Sequence, residues 1–127
     1  MLGGKIIRGD GIGRTLGYPT ANINIDPEKV HFDAGVYAAR ATLLGTVYKA
    51  ALVIMQHPWK VEAHLLDYTG DDIYGQDIQF EPVQRVSTLE RYDTMDELKR
   101  KIAKDIALVR EVFEDQIENI DRDDHAI

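Results

Sequence analysis

From Lys5 to Val86, apolar and polar residues alternate in short runs rich in valine, isoleucine, threonine and tyrosine, punctuated by glycine, proline and aspartate. A period of two is the mark of strands that turn one face to a core and the other to water. Six runs are predicted as strands: Lys5–Arg8, Ala21–Ile25, Val36–Leu43, Val47–Met55, Val61–Tyr68 and Asp77–Val86. Leu44-Gly45-Thr46 is short enough to close a hairpin, and so is the stretch from Thr69 to Gln76 with its two glycines. Trp59 follows His57-Pro58 and is expected in a loop. Short strands with close links and little helix between them favour an antiparallel barrel or sandwich over a parallel sheet. Closing the barrel also removes exposed sheet edges.

After Tyr92 the period changes. Thr94-Met95-Asp96-Glu97 has the form of a capping box, with Thr94 as N-cap and Glu97 three residues on. Behind it Met95, Leu98, Ile102, Ile106, Val109, Phe113, Ile117 and Ile120 recur at steps of three and four, which places them on one stripe of a helix. The first part of the stripe is expected to cover the barrel. A helix to Ile120 would be about 40 Å long at the α-helical rise, so its far end would overhang a small barrel and be free to meet a partner. The chain is therefore expected as a single domain over 1–127, with a barrel over about 1–90 and a helix over about 95–120. It would be a monomer or a weak homo-oligomer through that helix, and the tail Asp121–Ile127 is expected to fray.

Composition narrows the function. The 127 residues carry 15 Lys+Arg against 22 Asp+Glu, a net charge of −7, and no cysteine. Disulfides, thiolate zinc sites and cysteine nucleophiles are excluded. The acidic balance speaks against a broad nucleic-acid surface. No apolar run approaches the roughly 20 residues of a membrane helix, and Met1–Asp10 lacks the layout of a signal peptide. Expected partners thus include neither nucleic acid nor membrane, and a cytoplasmic location is the default.

The most unusual segment is Gly9–Asn22, GDGIGRTLGYPTAN. Its glycines allow close backbone approach to a ligand, so that N–H groups can cradle phosphate, with Arg14 adding charge. The spacing matches neither a Walker A loop nor a dinucleotide fingerprint, and the alternative is a plain surface loop. Thr20 and Asn22 lie two apart at a strand start and share a side. Their oxygens are hard donors acceptable to Mg²⁺ where phosphates supply other ligands, or else they bond neighbouring backbone in a turn. In Val61-Glu62-Ala63-His64-Leu65-Leu66-Asp67, Glu62, His64 and Leu66 share one face. Glu62 is either a general base in a closed site or a solvent-facing residue outside a barrel. His64 is either a hydrogen-bonded structural histidine or a catalyst. Trp59 either stacks on a flat ligand ring or plugs a barrel end.

Taken together and in order, these residues resemble the riboflavin kinase family. The resemblance rests on Gly11-Ile-Gly13-Arg14-Thr-Leu16-Gly17-Tyr-Pro19-Thr20-Ala21-Asn22, on Gly35-Val36-Tyr37-Ala38, on Val61-Glu62-Ala-His64-Leu65-Leu66-Asp67-Tyr68, on Ile73-Tyr74-Gly75, and on Tyr92-Asp-Thr94-Met-Asp-Glu97-Leu98 with Asp105 beyond. It runs from about Gly4 to Arg110. It implies a mostly-β fold, a six-stranded antiparallel Greek-key barrel with a long C-terminal α-helix. It implies ATP- and Mg²⁺-dependent phosphorylation of the riboflavin 5′-hydroxyl, giving FMN and ADP. Glu62 would be the catalytic base. Gly11, Gly13, Arg14, Gly17, Pro19 and Thr20 would bind nucleotide, Thr20 and Asn22 would hold the metal, and Trp59, His64 and Tyr74 are candidate substrate contacts. The alternatives are a non-catalytic flavin- or nucleotide-binding module on the same barrel, and a kinase for another small hydroxyl compound. Two departures from the family pattern stand out: the segment Val53–Lys60 is short, and Ser87 stands where the family commonly has arginine. The adenylyltransferase part that precedes the kinase in many bacterial proteins is not in the sequence, so FAD is expected to be made elsewhere.

Overall fold

The computed structural model describes residues 2–9, 20–69 and 72–125, with side chains to Glu114. Six strands, β1 (Leu2–Ile7), β2 (Thr20–Asn24), β3 (Gly35–Leu43), β4 (Thr46–Gln56), β5 (Trp59–Leu65) and β6 (Asp77–Ser87), are followed by one helix, α1 (Met95–His125). The strands close into a barrel in the order β1-β2-β5-β4-β3-β6, every pairing antiparallel. β3, β4 and β5 form a meander and β2 returns beside β5, which is Greek-key connectivity. Leu44 and Gly45 both have positive φ, 50° and 80°. That is the two-residue hairpin turn whose twist matches the strands, and glycine takes its second position without strain.

Two sequence expectations are corrected. The stretch Thr69–Gln76 is not a hairpin, because β5 pairs with β2 and β4 while β6 pairs with β1 and β3. The residues just before β6 instead tie back to β1, where the Gly75 N–H donates to Ile6 O at 2.8 Å and the Ile6 N–H to Gln76 O at 2.9 Å. Trp59 is not in a loop but opens β5. His57 and Pro58 alone form the β4–β5 turn, through a cis His57–Pro58 bond, with Gln56 paired to Trp59. The short Val53–Lys60 segment is therefore a tight hairpin rather than a truncated wall.

Alternation sorts the side chains to the two faces of the barrel wall. Inside lie Ala21, Ile23, Ala39, Ala41, Leu43, Ala50, Leu52, Ile54, Val61, Ala63, Leu65, Ile78 and Phe80, all buried. The alanines make room for Phe80, Leu52 and Ile54 in a barrel of only six strands. One end is closed by Trp59, whose indole N–H donates to Ile25 O at 2.7 Å, and by Tyr37, whose hydroxyl donates to Asp33 O at 2.7 Å. Burial pushes the Tyr37 phenol above its ordinary pKa. At the other end of β4, Tyr48 meets Tyr68 edge-on with ring centroids 5.5 Å apart. The lumen is thus filled with side chains, and chemistry is left to the outer wall.

The helix covers part of that wall. Val36, Ala38, Ala51, Val53 and Leu66 face outward and pack with Val109 and Phe113 of α1. Leu98 and Ile102 are buried as the stripe predicts, whereas Met95 at its start is 46% exposed. Thr94 caps α1 by accepting the Glu97 N–H at 3.2 Å, and Glu97 Oε2 accepts the Asp93 N–H at 2.9 Å, one residue before the expected partner. The helix continues through the tail to His125 rather than fraying from Asp121. No glycine or proline interrupts it.

Polar contacts fix the helix to the barrel. Arg110 donates two hydrogen bonds to Asp67, at 3.0 and 3.2 Å. Lys101 Nζ reaches both oxygens of Asp105 at 2.8 Å and Ser87 Oγ at 2.9 Å, and the Ser87 hydroxyl donates to Asp105 Oδ1 at 2.7 Å. The Arg110 hydrogen bonds and charge hold the Asp67 carboxyl below its usual pKa. A carboxylate held low contributes stability above its unfolded value and loses it as pH falls through the folded one. Both side chains are largely exposed, so the contribution is small. The melting-temperature gap between wild type and Arg110→Gln should therefore narrow as pH drops below about 4, which acid-range thermal scans would show.

Candidate active site

The β2–β5 ladder brings four candidate residues together. Thr20 lies directly opposite His64 and Asn22 directly opposite Glu62. Their neighbours Ala21, Ile23, Val61 and Ala63 belong to the lumen, so these four side chains stand on the outer face. The open alternatives for Glu62 resolve into a combination: it is outside the barrel, yet its side chain is only 18% exposed. Asn22 and His64 are buried, at 8% and 7% exposure. Thr20 Oγ1 is 3.1 Å from His64 Nδ1. Across β4, Glu62 faces Val53 and His64 faces Ala51, both apolar, so the polar group sits at the edge of the wall that α1 covers.

Gly9, which leads out of β1 toward the glycine-rich segment, lies against this group. A Cβ at Gly9 would overlap the Asn22 amide, so only glycine lets the chain pass so close. Just before it, the Arg8 guanidinium lies 4.7 Å from the centre of the Tyr74 ring. Tyr74 therefore stands beside the entry to that segment. Gly11, Gly13, Arg14, Gly17 and Pro19 lie outside the described residues. Trp59 is on the lumen side of β5, opposite in sense to Glu62 and His64.

One close neighbour of Glu62 was not singled out in the sequence. Lys60, two residues earlier on the same face of β5, places its Nζ 3.4 Å from Glu62 Oε2. The alternation that put Glu62 and His64 on one side carries this signal too. The Lys101–Asp105–Ser87 cluster was likewise legible only as an i,i+4 charge pair on the helix.

Among the described residues no group of three or more His, Cys, Asp or Glu side chains is arranged to hold a metal ion. A cation here would rest on Thr20 and Asn22 and on oxygens brought by a ligand, the usual habit of Mg²⁺ with phosphates. The Thr20 hydroxyl fits that use: in the His64 tautomer protonated at Nε2 it donates to Nδ1, which leaves its lone pairs for a cation.

A small Greek-key barrel thus carries a hydroxyl, an amide and a carboxylate aligned on its outer wall beside Gly9. Comparison with known proteins gives the family. A family model described as "Riboflavin kinase" matches residues 1–113, and the chain belongs to that family. It is 34% identical over 123 residues to the bifunctional riboflavin kinase/FMN adenylyltransferase of Escherichia coli strain K12, covering 88% of this chain and 37% of that protein. It is 32% identical over 114 residues to the protein of the same description from Bacillus subtilis strain 168, covering 83% and 36%. The chain thus spans little more than a third of these relatives. A crystal structure of riboflavin kinase from Trypanosoma brucei superposes with a TM-score of 0.67 at 22% identity, covering 89% of this chain and 78% of that one, a likeness of fold.

Proposed function

We propose that this chain transfers the γ-phosphoryl group of ATP to the 5′-hydroxyl of riboflavin, giving FMN and ADP. The observation that carries the reading is the direct pairing of Asn22 with Glu62 and of Thr20 with His64 on one outward patch. Phosphoryl transfer asks little covalent work of a protein. It needs the hydroxyl oriented, the phosphates held and the developing charge balanced.

In this reading Glu62 takes the proton of the 5′-hydroxyl as its oxygen bonds to the γ-phosphorus. The bond from that phosphorus to the β–γ bridging oxygen breaks, and ADP leaves with the electron pair. Partial burial keeps the carboxylate from bulk water while one edge stays open to a substrate. Magnesium, held by the Thr20 hydroxyl and the Asn22 amide oxygen with the phosphates, would supply charge neutralisation when bound. Gly11, Gly13, Arg14, Gly17 and Pro19 are assigned to nucleotide binding by the family pattern they carry, and Tyr74, a candidate substrate contact, lies against Arg8. His64 orients the Thr20 hydroxyl. The test is chromatographic: riboflavin, ATP and Mg²⁺ incubated with the protein yield FMN, and EDTA stops its formation. Riboflavin recovered unchanged overturns the reading.

A further inference from the structure

Among the described residues, the Lys60–Glu62 contact differs from four other ion pairs. Lys5–Asp77 and Arg40–Glu81 are solvent pairs, with side chains 65% and 79%, and 39% and 57%, exposed. Lys101–Asp105 and Arg110–Asp67 have obvious structural work, since they help join α1 to the barrel. Lys60 and Glu62 are 29% and 18% exposed, and they belong to the same strand, two residues apart. A contact within one strand joins no elements, and the β5 ladder is complete without it. Its effect falls on the carboxylate itself.

The ammonium is also well placed to act repeatedly in one geometry. Its backbone is paired with Met55 of β4, one residue from the two-residue turn. The preceding residue, Trp59, is anchored by its bond to Ile25 O. The lysine therefore springs from one of the more constrained points of the wall. Its Nζ lies 3.4 Å from Glu62 Oε2.

We propose that Lys60 is a positioning residue for the phosphoryl transfer. By drawing the carboxylate to its ammonium, it fixes the rotamer in which Glu62 receives the hydroxyl proton. This rests on the reading of Glu62 as the base. A charge that orients a base acts on kcat rather than on substrate affinity, because its benefit appears only when the proton moves.

The experiment compares steady-state kinetics of FMN formation for wild type, Lys60→Met, Lys60→Gln, Lys60→Arg, Glu62→Gln and the double variant Lys60→Met/Glu62→Gln, each checked by its melting curve. Lys60→Met and Lys60→Gln should lose about tenfold in kcat with KM for riboflavin and for ATP changed less than about twofold. Lys60→Arg should recover most of the rate. In the Glu62→Gln background the lysine change should cost nothing further, since the group it orients is gone. Wild-type kcat in both neutral variants, a loss confined to KM, or a full further loss on Glu62→Gln would each overturn the inference while leaving Glu62 in place. Wild-type turnover by Glu62→Gln would overturn the base assignment, and the role of Lys60 with it.

Discussion

Replacing Glu62 by glutamine should lower kcat for FMN formation by about a hundredfold or more, the usual worth of a general base. The melting temperature and nucleotide binding should change little. The substitution is nearly isosteric, and among the described residues the carboxylate makes no contact that joins strands. It faces Asn22 on one side and Val53 on the other, and its ion pair lies within its own strand. Glutamine keeps the shape and loses the capacity to take a proton at neutral pH. Turnover would be read by chromatography under saturating riboflavin and ATP. A variant with the wild-type rate would mean that solvent or a phosphate oxygen takes the proton, and that Glu62 merely shapes the patch.

The largest effect on stability is expected at Lys101. Its side chain and that of Asp105 are 12% and 10% exposed, and the pair closes on Ser87 of β6. Removing one partner of a buried pair strands the other charge, so Lys101→Met should cost about 3 kcal/mol, or roughly 10 °C in melting temperature. The Ser87 hydroxyl still donates to Asp105, which argues for the low end of the range for broken buried pairs. The double variant Lys101→Met/Asp105→Leu removes both charges and should return close to the wild-type midpoint. A midpoint for Lys101→Met within about 2 °C of wild type would show that the cluster contributes little to holding the helix. The cluster also gives a physical account of Ser87, where the resemblance leads one to expect arginine: the cation comes instead from the helix, and the serine is small enough to sit between Lys101 and Asp105.

Much of the fold was legible because local periodicity is a direct image of burial. Period-two runs became strands within one to three residues at most ends, and the 3.6-residue stripe became the helix whose Leu98, Ile102, Val109 and Phe113 are buried. What local pattern does not carry is pairing. The segment from Thr69 to Gln76 had the length and glycines of a hairpin, yet β6 closes the barrel against β1, a choice made by strands far apart in sequence. Trp59 was misplaced for the opposite reason. Proline read as a loop marker, while a two-residue turn let β5 start at once.

The same distinction holds at the site. Alternation shows that Thr20 shares a side with Asn22, and Glu62 with His64. That the two pairs face one another is a matter of register between strands some forty residues apart. The Lys60 contact needed only the alternation already in hand, and it was missed because lysine next to a tight turn reads as ordinary solvated surface. Once the lumen is seen to be filled, the outer wall is where these oxygens must act, and the glycine at position 9 is explained by its contact with Asn22.

The central claim is that the outward patch of Thr20, Asn22 and Glu62 performs phosphoryl transfer to riboflavin rather than merely holding a flavin or a nucleotide. The most direct measurement is the time course of riboflavin and product in one mixture of the purified chain with ATP and Mg²⁺, separated by chromatography and identified by mass. The account predicts steady conversion to a singly phosphorylated flavin indistinguishable from FMN, with one ADP formed for each. Flavin that binds the protein but returns unphosphorylated, with ATP unconsumed, would contradict it.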